Sequence, residues 1–184
     1  MTTRYAVLLR GINVGGNRKV PMADLRELLT GLGHGDVRTY LNSGNAVFSS
    51  GTADEDRLAA AVEEAVADRF GFTVDCLVRS GAYLRTVADG CPFRTAGLQG
   101  KQLHVTYFSG PVEPDRFAAL DQQAYLPEEF RLGDRALYLY APDGLGRSKL
   151  AEALNRRAVD KGITGTSRNW NTVLKLAEMT GERS

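Results

Sequence analysis

Apolar and polar positions change their period several times along the chain, and each change marks an element. "YAVLL" (Tyr5–Leu9) is apolar at both parities, the pattern of a central strand covered on both faces. Pro21 suits a helix N1 position. Leu25, Leu28, Leu29 and Leu32 then recur at helical spacing up to Gly33, which can close the helix as a left-handed cap. "VRTYL" and "NAVFSS" flank Asn42, Ser43 and Gly44 and predict a hairpin. Thr52 and Glu55 have capping-box spacing, and the helix they would open carries Leu58, Val62, Ala65, Val66 and Phe70 along one side as far as Gly71. "TVDCLVR" is a fourth strand, with Val74, Cys76 and Val78 on one face. The order βαββαβ is the split arrangement of ferredoxin-like domains.

The second half repeats this order. A helical stretch near Tyr83–Ala88 leads to the strand "LHVTYF" (Leu103–Phe108), and a helix is expected after Pro114. The strands "EFRL" and "ALYLY" flank Gly133 and Asp134. Ser148 can cap a helix bearing Leu150, Ala153, Leu154 and Ala158 and closed by Gly162. "ITGT" reads as a short last strand, and a terminal helix runs from about Asn171 to Gly181. The predicted fold class is α+β: two ferredoxin-like (βαββαβ) halves, 1–79 and 80–184, packed into one compact unit with extra helices. The internal repeat is one of pattern, not of residue identity.

Composition narrows the partners. With 184 residues, 43% apolar and 24% charged, the chain is typical of a globular protein. Its formal net charge of +1 is no blanket for duplex binding, so a nucleic-acid partner would need a local basic patch. Cys76 and Cys91 have no second thiol or histidine at metal spacing, and Cys76 reads as a buried inert thiol. "YAVLL" is far too short for a signal peptide or a membrane span, so a cytoplasmic protein with no membrane partner is expected.

The candidate chemistry lies in polar loops. "RGINVGGNRKV" (residues 10–20) is long for a strand-to-helix connection, with Ile12 and Val14 as its apolar anchors. In a βαββαβ unit this loop and the turn between strands two and three leave the same sheet end. That places Arg10, Asn13, Gly15, Gly16 and Lys19 beside Asn42, Ser43 and Asn45. In the second half Ser148 and Lys149, entering the later helix, share an end with Arg168 and Asn169. Arg, Lys, Asn and Ser donate hydrogen bonds, and glycine lets backbone N–H groups turn inward as an anion-binding nest. Phosphate or another oxyanion is the natural guest, and an anionic small molecule is the expected partner. Arg10 and Arg168 are the foremost candidates because guanidinium grips oxyanions bidentately.

"GINVGG" is not GxGxxG, and "GRSK" reverses the order a P-loop needs, so neither nucleotide fingerprint is present and the cofactor is unknown. His34 and His104 read as structural, and Asp143 is the one carboxylate beside a candidate site. Asp54, Glu55 and Asp56 sit in a first helical turn, while Glu63–Glu64 and Glu128–Glu129 read as solvated faces. No general base stands out, and whether the protein is an enzyme is left open. Three alternatives accompany anion binding. One is RNA binding on the sheets through Tyr5, Phe48, Tyr138 and Tyr140. The second is metal-assisted phosphoryl or nucleotidyl transfer, with Asp143 or an incoming Mg²⁺. The third is a protein-interaction module whose polar loops are structural.

"LLRGINVGGNRKVPMADLRELL", "VRTYLNSGNAVF", "GRSKL" and "TSRNWNTVLKLAEM" closely resemble the uncharacterised bacterial domain-of-unknown-function 1697 family, from Tyr5 to about Met179. The resemblance implies a fold of two ferredoxin-like halves and supplies no activity, substrate or cofactor. The family's characteristic residues fall at Arg10, Gly11, Asn13–Gly16, Lys19, Ser43–Asn45, Gly146, Ser148, Lys149, Arg168–Trp170 and Thr172. Asn42 stands where a glutamine or similar amide is expected.

Overall fold

The computed structural model describes residues 1–41, 44–158 and 162–181. The elements are β1 (Thr3–Leu9), α1 (Met22–Gly31), β2 (Gly35–Tyr40), β3 (Asn45–Ser50), α2 (Glu55–Phe70), β4 (Cys76–Ser80), α3 (Gly81–Asp89), β5 (Leu103–Phe108), β6 (Glu129–Gly133), β7 (Ala136–Tyr140), α4 (Lys149–Ala158), β8 (Gly165–Asn169) and α5 (Trp170–Thr180). They make an α+β protein with two four-stranded antiparallel sheets, ordered β2-β3-β1-β4 and β6-β7-β5-β8. The chain divides into two units, Met1–Arg85 with the stretch from Leu176, and Thr86–Lys175. The division therefore falls inside α3 and α5.

In the first unit, β1 is apolar at both parities because both faces of its sheet are covered. Tyr5, Val7, Leu9, Phe48, Cys76 and Val78 form one core with Leu25, Leu28 and Leu29 of α1 and Leu58, Val62 and Val66 of α2. Ala6, Leu8, Val47 and Leu77 are buried on the opposite face. There the last turn of α5 and the glycine after it offer carbonyls to cations. Arg4 donates to Gly181 O at 2.6 Å and Arg38 to Met179 O at 3.1 Å, placing positive charge at a helix C-terminus where the dipole favours it. Gly81 permits the approach of this turn, since a Cβ there would sit 2.5 Å from Thr180 O.

In the second unit, Phe108, Phe117, Phe130, Leu137, Leu139, Leu150, Ala151 and Leu154 form the core between the sheet and α4. Val105, Tyr107 and Tyr138 are buried on the other face, where the Tyr138 hydroxyl donates to Val87 O at 2.6 Å.

Several local expectations are corrected. The helix after Pro114 is a pair of 3-10 turns, Pro114–Phe117 and Gln122–Tyr125. The last strand lies further on than "ITGT", so Arg168 and Asn169 are strand residues and α5 begins at Trp170. Pro21 stands at the N-cap of α1, one residue before N1. Gly33 does close α1 as a left-handed cap: it follows the Leu32 C-cap with a φ of +90°, and its N–H donates to Thr30 O at 3.0 Å. Thr52 and Glu55 do not form a capping box. Asp54 caps α2 by accepting from Arg57 N–H, and Glu55 is turned to β4, where it accepts from Ser80 N–H at 2.8 Å and pairs with Arg79 at 3.4 Å. The expected closure of α4 falls partly on 159–161, outside the described residues, as do Asn42 and Ser43 of the hairpin.

Candidate functional site

The loop after β1 folds into a small hairpin of its own. Ile12 and Val20 are buried and anchor it, whereas Val14, expected as an anchor, is 67% exposed at the tip. Asn13 clasps the two arms: its Oδ1 accepts from Val20 N–H at 2.8 Å, and its Nδ2 donates to Val20 O at 3.0 Å. Asn13 N–H donates to Arg18 O and Asn17 N–H to Val14 O, each at 3.1 Å. Gly15 and Gly16 have φ of +61° and +78°, the sign a two-residue type I′ turn requires at both central positions. The glycine and amide content of the loop thus answers to its own geometry.

Its charge does not. The side chains of Arg18 and Lys19 are exposed and make no ion pair or hydrogen bond among the described residues. The Arg10 guanidinium lies 4.0 Å from the Asp75 carboxylate with both side chains more than half exposed, a contact of little energetic weight. Beside Lys19 runs a groove of about 350 Å³ lined by Asn13, Gly16, Lys19, Val20 and Pro21.

The β2–β3 turn leaves the same end of the sheet. Leu9 N–H donates to Gly44 O at 2.9 Å, and a Cβ on Gly44 would lie 2.9 Å from Ile12 Cδ1. Asn45, read as an open donor, is fully buried and donates to Tyr40 O at 3.1 Å, so it braces the sheet. Ser43 lies outside the described residues. Leu41 is 55% exposed with a φ of +57°, a conformation rare for a leucine.

The second polar end is built differently. The loop after β7 and the residues after β8 again leave one sheet end, where Ala141 N–H donates to Gln102 O and Gly100 packs against the Asn171 side chain. Its donors, however, serve the fold. Ser148 is buried; its hydroxyl accepts from Ala151 N–H and donates to Glu128 Oε2, each at 2.9 Å. The same Glu128 oxygen accepts Leu150 N–H at 2.9 Å, so a carboxylate of the chain occupies the N-terminus of α4. Asn169 Oδ1 accepts Thr172 N–H at 3.0 Å in the first turn of α5.

Arg168 is 9% exposed and donates to Thr166 Oγ1 at 2.7 Å and Ser167 O at 2.9 Å; burial pushes its guanidinium down to about 10. Lys149, Gly146 and Asp143 are exposed.

Sequence reasoning missed the inward-turned acids. Glu63 and Glu128, read as solvated, are half-buried acceptors, Glu63 taking Cys76 N–H at 2.8 Å. Arg79, 2% exposed and 5.6 Å over the Tyr83 ring, was also missed. Tyr5, Phe48 and Tyr138 are buried, so these three offer no open stacking platform; Tyr140 is half-buried, its ring centroid 6.1 Å from that of Phe93. Among the described residues no three His, Cys, Asp or Glu side chains come together as a metal would need. No helix among them is long and apolar enough to cross a membrane. Burial raises the Cys76 thiol far above its ordinary range, in keeping with an inert side chain.

The family described as Protein of unknown function (DUF1697) matches residues 1–138, and the chain belongs to it. The motifs "GRSKL" and "TSRNWNTVLKLAEM" lie beyond the matched residues. Among solved structures, the chain is similar to the conserved bacterial protein SP0830 from Streptococcus pneumoniae. The two share 25% identity over 98% of this chain and 100% of that one, with a TM-score of 0.77. No curated protein matches the chain.

Proposed function

We propose that the protein binds a phosphate-bearing or other anionic group at the end of the first sheet, through Arg10, Arg18 and Lys19 around the clasped hairpin. One observation carries this reading. The loop is held in a single shape by Asn13 and two buried anchors, yet its cations are turned out to solvent beside a groove, and none of residues 10–23 is acidic. Positive charge fixed on a rigid backbone, with little internal neutralisation, favours an external anion. Gly15 and Gly16 leave the approach to the backbone clear, since a Cβ on either would meet nothing within 4 Å. The sheet orders and crossovers favour reading each unit as a ferredoxin-like half, and a cytoplasmic location goes with this proposal.

Ser148, Lys149, Arg168 and Asn169 are assigned no part in it, because Glu128 already supplies the anion at that end. The reading is one of binding rather than catalysis. The test is a thermal-shift titration of the full chain with inorganic phosphate, pyrophosphate and nucleotides, beside the Arg18→Ala/Lys19→Ala variant. A ligand at a hundred times its dissociation constant adds about 2.7 kcal/mol, which is roughly 5–11 °C for a chain of this size. The expected result is such a shift in the wild type and its loss in the variant. A shift that survives in the variant would move the site elsewhere, and no shift with any anion would defeat the reading.

A further inference from the structure

We infer that this end of the first sheet is a peripheral docking surface for an anionic lipid bilayer, with Val14 and Leu41 entering the interface and Arg10, Arg18 and Lys19 meeting the headgroups. The inference rests on the anion-binding reading above and names the source of the anion. Its ground is the pairing of two features at one place. Val14 is 67% exposed at the tip of a hairpin, and Leu41 is 55% exposed on the adjoining β2–β3 connection. Register puts Leu8, Tyr40 and Asn45 on one line across the sheet, so β1 and β2 run out at this same edge.

The tips are not incidental apolar surface. A type I′ turn is satisfied by Gly15 and Gly16 and sets no demand for an aliphatic residue at position 14. At position 41 the backbone is left-handed, a conformation that glycine or asparagine adopts at least cost and that leucine rarely adopts. A strained, exposed leucine is the kind of outlier that points to function. Arg10, Arg18 and Lys19 belong to the loop that carries Val14; neither 10–23 nor 37–50 contains an acid, and Asp75 lies 4.0 Å from Arg10 in an exposed, weak contact.

Aliphatic tips ringed by cations match an interfacial layer, which takes apolar side chains just below a plane of negative headgroups. Three cations near such a surface with two shallow anchors give weak, reversible, salt-sensitive attachment. Single-stranded nucleic acid fits less well. The tips carry no aromatic ring for base stacking, and Tyr5 and Phe48 of the sheet are buried. Contact of this kind needs no spanning segment.

The experiment is co-sedimentation of the full chain with vesicles of phosphatidylcholine alone and of phosphatidylcholine and phosphatidylglycerol in equal parts, at low and physiological salt. A soluble duplex and a soluble single-stranded RNA serve as competitors. Expected is binding to the anionic vesicles only, weakened by salt. The variant Val14→Ser/Leu41→Asn should lose about tenfold or more of this binding through its apolar contacts. It should keep the thermal shift with inorganic phosphate and melt higher than the wild type, because asparagine relaxes the left-handed position. Arg18→Ala/Lys19→Ala should lose both vesicle binding and the phosphate shift.

If the wild type fails to sediment with anionic vesicles while its phosphate shift persists, the bilayer inference is overturned and anion binding stands. Vesicle binding unchanged in Val14→Ser/Leu41→Asn overturns the insertion of the tips. Displacement by either nucleic acid, bound more tightly than the vesicles, assigns the surface to that polymer instead.

Discussion

The two polar sheet ends have nearly the same chemistry in sequence and opposite fates in the structure. At the end of the first sheet, Arg10, Arg18 and Lys19 stand in solvent on a clasped hairpin. At the end of the second, Ser148, Arg168 and Asn169 are folded inward, and the Glu128 carboxylate takes the Ser148 hydroxyl and Leu150 N–H. A count of donors therefore does not locate an anion site. What matters is whether the fold has already supplied the acceptor. Where a carboxylate of the same chain sits on a helix N-terminus, an external anion must displace it; where the cations stand in solvent with only the weak contact of Asp75 to Arg10, it need not.

The largest effect that would break this contrast is at Arg168. Arg168→Ala empties a large buried position and should cost about 2–5 kcal/mol in chemical denaturation. Arg10→Ala, at an exposed position, should stay within about 0.5 kcal/mol. Equal losses at the two arginines would mean that the first loop is as structural as the second.

A smaller effect is expected at Glu128. Glu128→Ala leaves Leu150 N–H and the Ser148 hydroxyl without their acceptor and should cost about 1–2 kcal/mol. The same variant sharpens the comparison, because freeing the α4 N-terminus should give the second unit a weak phosphate response that the wild type lacks. Asp75→Ala, removing the distant partner of Arg10, should leave stability nearly unchanged and strengthen phosphate binding slightly, as read by the same titration.

The smallest effect is on pH dependence, one histidine in each unit. His34 Nε2 and His104 Nδ1 are buried with no hydrogen-bond partner among the described residues, and burial holds both imidazoles below the ordinary value of 6.5. The unfolded chain then binds more protons than the folded one between the folded values and 6.5. The stability tied to the neutral imidazoles is present above that range and is lost as pH falls through it. Melting at pH 5 should lie below melting at pH 7, and His34→Gln/His104→Gln should narrow the gap. A gap that does not narrow would assign the acid loss to carboxylates.

Much of the fold was legible because burial leaves a period. The apolar run Tyr5–Leu9, the helical leucines of α1 and the alternation of Val74, Cys76 and Val78 all became core. Legibility failed where polar residues were buried or where the partner was distant in sequence. Arg168 and Asn169 read as leaving the last strand, yet both belong to β8 and Arg168 is buried in it. The stretch after Pro114 has helical spacing but folds as short 3-10 turns. At the candidate site the turn glycines and the cations were visible. The reach of Glu128 to a serine twenty residues later was not, because no local pattern encodes a contact of that length.

The division of the chain inside α5 has a consequence for biosynthesis. The last turn of that helix and the glycine after it belong to the first unit, where their carbonyls meet Arg4 and Arg38. Those two arginines leave the ribosome early, but their partners follow only after all of Thr86–Lys175 has been made. Until then the nascent first unit lacks this turn on the far face of its sheet, where Ala6, Leu8, Val47 and Leu77 are to be buried. The two units cannot mature one after the other in the order of translation: the first to be synthesised is the last to be completed.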